Sequence, residues 1–99
     1  MRKHALVVHP DREARVLMER WVRAEGYLPQ SASDGAEALL FAKHGRFDLI
    51  VLDRQAPHSA TSDVILGLLA NPKAAHIPIA FANPILGDAP ILATSRSMH

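Results

Sequence analysis

The chain has 99 residues, 48% of them apolar and 21% charged, with a formal net charge of +1, which suits one globular domain with one core. This charge gives no electrostatic field strong enough to attract nucleic acid or an anionic membrane. The absence of cysteine excludes disulfides, thiolate nucleophiles and cysteine-based zinc sites. No apolar run approaches the roughly eighteen residues of a membrane span, and the N-terminal apolar stretch is too short for a signal peptide. We therefore predict a soluble, cytoplasmic protein.

Short apolar runs predict the strands of a sheet that is buried on both faces. Three runs without polar alternation lie at residues 5–8, 49–52 and 77–82, and such runs are typical of a parallel sheet. Residues 27–32 are a weaker candidate for a further strand between the first two.

The segment after the first strand predicts a helix with clear end signals. Asp11 is a suitable N-cap, and Gly26 stands where a left-handed residue ends a helix. The predicted apolar face consists of Ala14, Leu17, Met18, Trp21 and Val22.

Two further helices are predicted by the same signals. One begins at Asp34, carries apolar residues through Ala42 and closes near Gly45. The other is capped by Thr61 or Ser62 and ends before a proline at position 72; its apolar positions are Val64, Ile65, Leu68 and Leu69. Alternating strands and helices predict a doubly wound parallel α/β domain, in which function sits at the carboxyl ends of the strands.

The motifs in this order resemble the receiver domain of two-component response regulators, over about residues 4–83. The matching segments are Leu6-Val7-Val8 with Asp11-Arg12-Glu13, Asp34-Gly35-Ala36-Glu37-Ala38-Leu39, Phe47-Asp48-Leu49-Ile50-Val51-Leu52-Asp53 with Pro57, and His76-Ile77-Pro78-Ile79. The resemblance implies a flavodoxin-like fold, a role in phosphorelay signalling and Asp53 as the phosphoacceptor candidate.

The chain departs from the receiver pattern around that aspartate. His9 and Pro10 stand where the family has two acidic residues that hold Mg²⁺, and Asp11 aligns with a helix-capping position instead. Gln55 could still offer a backbone carbonyl to a metal, and Asn83 replaces the family's Thr or Ser. The family's lysine on the fifth strand has no counterpart. Mg²⁺ binding is thus expected to be weakened, and no cofactor is predicted.

The last part of the sequence predicts a shortened end to the fold. We expect a receiver-like α/β core over residues 1–83 and a shortened C-terminal segment over residues 84–99, with a degenerate fifth strand reached without a fourth helix. A sheet surface left open there is predicted to be an interaction surface, formed by Ile79, Phe81, Ile85, Leu86, Ile91 and Leu92.

These features favour a stand-alone pseudo-receiver, not an enzyme, that acts by contact with a histidine kinase, another signalling protein or a second copy of itself. The alternative is a competent receiver that accepts a phosphoryl group on Asp53. A further alternative is a metal- or ligand-binding module using His9, Asp11 and Asp53. The His9 imidazolium could also pair with Asp53 and replace the cation. A serine hydrolase is disfavoured, because there is no G-x-S-x-G motif and His58-Ser59 are predicted to lie in a loop.

Overall fold

The architecture is a five-stranded sheet flanked by three helices. The computed structural model describes residues 3–53, 58–83 and 88–92. The elements in chain order are β1 (Lys3–Val8), α1 (Arg12–Ala24), β2 (Tyr27–Ala32), α2 (Gly35–His44), β3 (Leu49–Asp53), α3 (His58–Ala70), β4 (Ile79–Asn83) and β5 (Asp88–Leu92). The strand order is β2-β1-β3-β4-β5. The first four strands are parallel, whereas β5 pairs antiparallel with β4.

Each face of the sheet has its own apolar cluster, because successive side chains of a strand point to opposite faces. On one face Leu6, Val8, Ile50 and Leu52 pack with residues of α2 and α3, namely Ala38, Ala42, Val64 and Leu68. On the other face Ala5, Val7, Leu49 and Val51 pack with Met18 and Val22 of α1. Helices on both faces of the sheet confirm the predicted doubly wound, flavodoxin-like fold.

Helix α1 has the predicted ends but a narrower buried face. The Asp11 carboxylate accepts a hydrogen bond from the backbone N–H of Ala14 at 3.3 Å, and Gly26 takes a φ of +93° after the last turn. The buried positions follow a spacing of four residues: Ala14, Met18 and Val22. The prediction that Leu17 belongs to this face was wrong, since 45% of Leu17 is exposed. Leu17 lies at the edge of the narrow stripe that faces the sheet.

Helix α2 begins and ends as predicted. The Asp34 carboxylate accepts a hydrogen bond from the Glu37 N–H at 2.8 Å, and the Glu37 carboxylate accepts one from the Ser33 N–H at 2.7 Å. Gly45 is the C-cap. The first bond satisfies a donor that the first helical turn leaves without an intrahelical partner, and the second ties the residue before the N-cap to that turn.

Helix α3 begins at His58, so the predicted caps Thr61 and Ser62 and the predicted loop at His58-Ser59 were wrong. Apolar periodicity marks only the part of a helix that packs on the sheet, here from Val64 onward. Backbone hydrogen bonding needs no apolar side chain, and the helix therefore extends beyond the periodic segment.

The sheet changes direction after β4. Only residues 84–87 separate β4 from β5, and a parallel crossover needs roughly a dozen residues or more, so the chain returns antiparallel. A fifth strand is present at Asp88–Leu92, and it makes the sheet mixed rather than wholly parallel as predicted. The domain boundary after residue 83 stays a prediction.

Each edge strand contains a proline, Pro29 in β2 and Pro90 in β5. In the described ranges, no helix is long and apolar enough to cross a membrane.

Candidate functional site at the carboxyl ends of the strands

The strand register brings three of the predicted site residues together at the carboxyl ends of the strands. Val8 pairs with Leu52 across β1 and β3, so His9 and Asp53 occupy equivalent next positions. Asp53 pairs with Ala82, and Asn83 is the last residue of β4. The topology therefore places the backbones of His9, Asp53 and Asn83 side by side, as expected for strand ends in a parallel sheet. Gln55 and the side chains at positions 53 and 83 lie outside the described part.

His9 is buried and held by hydrogen bonds. Only 6% of the residue is exposed, and its backbone N–H donates to the Ala32 carbonyl at 3.1 Å. Its ring Nδ1 accepts a hydrogen bond from the Asp11 backbone N–H at 2.9 Å. An Nδ1 atom that accepts a hydrogen bond carries no proton, so this geometry places the proton of a neutral ring on Nε2. The ring thus acts as a local cap for the chain between β1 and α1.

Arg15 of α1 also binds the connection between β1 and α1. Its guanidinium Nη1 donates to the carbonyl oxygens of His9, at 2.8 Å, and Pro10, at 3.2 Å. The sole carboxylate in this connection is that of Asp11, which binds the first turn of α1. The His9 Nδ1, the Asp11 carboxylate and the carbonyls of His9 and Pro10 are therefore engaged with the first turns of α1.

Several solved structures are similar to this chain. The chemotaxis response regulator CheY4 of Vibrio cholerae superposes with a TM-score of 0.72 at 25% identity, covering 82% of this chain and 68% of that one. The receiver domain of the hybrid histidine kinase CckA has a TM-score of 0.64 at 29% identity, covering 79% and 72%. The response regulator TrrA of Thermotoga maritima, in complex with Mg²⁺ and BeF, has a TM-score of 0.64 at 31% identity, covering 72% and 62%. The chain is a receiver-type domain. No family model matches it, and a comparison with curated proteins found no match.

The described residues alone form no candidate metal site. Among the described residues, no three His, Cys, Asp or Glu side chains are grouped so that they could hold a metal ion. The alternative of a transition-metal site at His9, Asp11 and Asp53 requires an Asp53 side chain that lies outside the described part, so it stays a prediction.

The predicted interaction surface is described by the structure only in part and stays a prediction. Ile79 and Phe81 are half-buried and pack against the apolar cluster that α2 and α3 cover. Ile91 and Leu92 belong to β5, opposite Phe81 and Ala80, whereas Ile85 and Leu86 lie outside the described residues.

Among the side chains that the structure describes, large exposed apolar ones lie on the helices and on the edge strand β2. They are Val16, Leu17, Leu28, Leu40, Leu66 and Leu69. Val16 and Leu17 line a shallow surface cavity of about 290 Å³ on α1, together with Arg12 and Glu13. A count of apolar positions could have indicated the exposed leucines of α2 and α3, because both helices carry more apolar residues than one face can bury.

Proposed function

We propose that this receiver-type domain is a pseudo-receiver, a signalling module rather than an enzyme, that acts by protein contact in a two-component pathway. We propose further that its Asp53 end binds Mg²⁺ weakly or not at all. The observation that carries this proposal is the connection between β1 and α1. There His9 and Pro10 replace acidic residues, and the His9 Nδ1 and the Asp11 carboxylate are engaged in local hydrogen bonds.

Phosphoryl transfer to a carboxylate depends on electrostatic help. A divalent cation and fixed donors neutralise the charge on the transferring oxygens, and Mg²⁺ prefers hard oxygen ligands. Pro10 offers no side-chain ligand, the His9 Nδ1 accepts a backbone N–H, and the Asp11 carboxylate caps α1. Since the loss of one such electrostatic partner typically lowers a rate by about 10²–10³-fold, phosphorylation of Asp53 is expected to be slow or absent.

The surface of α1 supports a role in protein contact. Val16 and Leu17 are 41% and 45% exposed and lie beside the charged residues Arg12 and Glu13. An apolar centre with a charged rim on a helix suits docking against a helix of another protein. The proposed partner is a histidine kinase or another signalling protein, with a second copy of this chain as the alternative.

A competent receiver is the second candidate function. It is favoured by the position of Asp53 at the end of β3, in register with His9, and by the likeness to TrrA, whose structure contains Mg²⁺ and BeF. In this case the metal would be held by Asp53 and backbone carbonyls without the two acidic residues.

An amide NMR titration separates the two candidates. The wild-type domain and its Asp53→Asn variant receive Mg²⁺ and beryllofluoride, a stable mimic of an aspartyl phosphate. The pseudo-receiver proposal expects no saturable shifts at millimolar Mg²⁺ in either protein. Saturable shifts around residues 53 and 83 in the wild type, lost in the variant, would overturn it and establish the competent receiver.

A further inference from the structure

A second candidate site lies at the opposite end of the parallel strands, where β3 and β4 begin. The turn after α2 and the turn before β4 together line a surface cavity of about 470 Å³. Four basic or titratable side chains face this cavity: His44, Arg46, Lys73 and His76. We propose that the cavity binds a small phosphate-bearing anion.

The charge of the cavity favours an anion. Arg46 and Lys73 bring two full positive charges, and Asp48 is the one acid in the lining. In the described part of the chain, no hydrogen bond or ion pair engages the four basic side chains, whose donors remain available to a ligand. With its histidines neutral the lining carries a net charge of +1, which equals the net charge of the whole chain.

The backbone of the cavity is fixed by hydrogen bonds before any ligand arrives. The Asp48 N–H donates to the His4 carbonyl at 2.7 Å, and the His4 N–H donates to the Asp48 carboxylate at 2.9 Å. On the other side, the Lys73 N–H donates to the Asn71 side-chain oxygen at 3.0 Å. The neighbouring residues Ala74 and Ile77 are buried. A preorganised cavity binds more tightly because less conformational entropy is lost.

Stabilisation of the C-terminal end of α2 by basic residues explains only part of this basic cluster. Basic residues stabilise the last turn of a helix, and Lys43 and His44 are placed to do so in α2. Arg46, Lys73 and His76 lie beyond the helix ends, in the two turns, and converge on one cavity. The size of the cavity fits a small molecule, and the low net charge of the chain disfavours an extended nucleic acid.

Titration with inorganic pyrophosphate, followed by amide NMR, tests the proposal. Saturable shifts are expected at residues 44–48 and 73–77. The variants Arg46→Gln and Lys73→Gln each remove a charged donor, and each is expected to weaken binding at least about tenfold. The matched control Arg20→Gln removes the same charge from the exposed face of α1 and is expected to leave the affinity unchanged.

A gain of affinity gives a second, independent readout. Asp48→Asn keeps an oxygen that can accept the His4 N–H but removes the only negative charge of the lining, so binding is expected to tighten about threefold. Non-saturating shifts, shifts spread over all basic surfaces, or an equal loss in Arg20→Gln would overturn the proposal. The titration contains no Mg²⁺, and Asp53→Asn is expected to respond like the wild type, which separates this site from the proposed function.

A parallel titration distinguishes the source of the phosphate. A nucleoside diphosphate that binds more tightly than pyrophosphate would indicate that the half-buried Phe47 ring in the cavity wall contacts a base. Equal affinities would indicate that the phosphates alone are recognised.

Discussion

A single ring nitrogen shows how His9 takes part in the local structure. Its Nδ1 accepts the Asp11 N–H, which would otherwise be a donor near the start of α1 without an intrahelical partner. A carboxylate at this position could also accept a backbone hydrogen bond, but it would add a negative charge next to Asp53. The histidine performs the structural role without that charge.

We predict that the neutral His9 ring carries its proton on Nε2, because Nδ1 is occupied as an acceptor. Long-range ¹H–¹⁵N correlation spectra report the tautomer directly from the two ring nitrogen shifts. The exposed His76, whose ring has no such hydrogen bond in the described part of the chain, is the control and should show mixed tautomers. A proton on Nδ1 of His9 would contradict the prediction, and protons on both ring nitrogens would indicate the imidazolium that was considered as a partner of Asp53.

At the scale of elements, helix ends with side-chain caps could be predicted from the sequence. Asp11 and Asp34 each precede a helix and accept a backbone N–H of its first turn, as the sequence indicated. The beginning of α3 could not be predicted in the same way, because several Ser and Thr residues precede Val64 and any of them could cap a helix. The antiparallel direction of β5 depends on the length of its connection rather than on its own residues.

Gly26 permits the tight connection between α1 and β2. Its φ of +93° lies in the region where a Cβ is strained, and an added Cβ would meet no other atom within 4 Å. Gly26→Ala is therefore expected to lower the free energy of unfolding by about 1 to 2 kcal/mol through backbone strain alone.

Urea unfolding of Gly26→Ala measures this loss. Gly26→Asn is the matched control, because asparagine tolerates positive φ better than alanine and should lose less stability. Equal stabilities of the wild type and Gly26→Ala would show that the connection can relax to a negative φ.

At the scale of the whole molecule, the parallel topology assembles the candidate site. The sequence indicated that His9, Asp53 and Asn83 follow or end neighbouring strands, and the register places their backbones together. The hydrogen bonds of Arg15 to the carbonyls of His9 and Pro10 could not be predicted, because a long side chain five or six residues away has many rotamers. The basic cavity at the amino ends of β3 and β4 is formed by the turn after α2 and the turn before β4. These two turns meet only in the folded protein, so the cavity could not be predicted from the sequence.

Self-association is expected to depend on the apolar patch of α1. The double variant Val16→Ser, Leu17→Ser removes the exposed apolar area of this patch. Because an apolar contact centre is lost, self-association measured by sedimentation velocity is expected to be at least about tenfold weaker. Leu40→Ser, on the exposed side of α2, is the control and should associate like the wild type. If the wild type stays monomeric at high concentration, the second copy is excluded as partner and the kinase or another signalling protein remains.

The prolines in the two edge strands have a consequence for how this domain behaves when crowded. Pro29 and Pro90 lack the amide hydrogen that an incoming strand would need as a donor, and edge prolines direct this missing donor outward. Neither side of the sheet can therefore serve as a continuous template for cross-β growth. Copies of this domain at high local concentration can therefore meet edge to edge without their sheets fusing into fibrils.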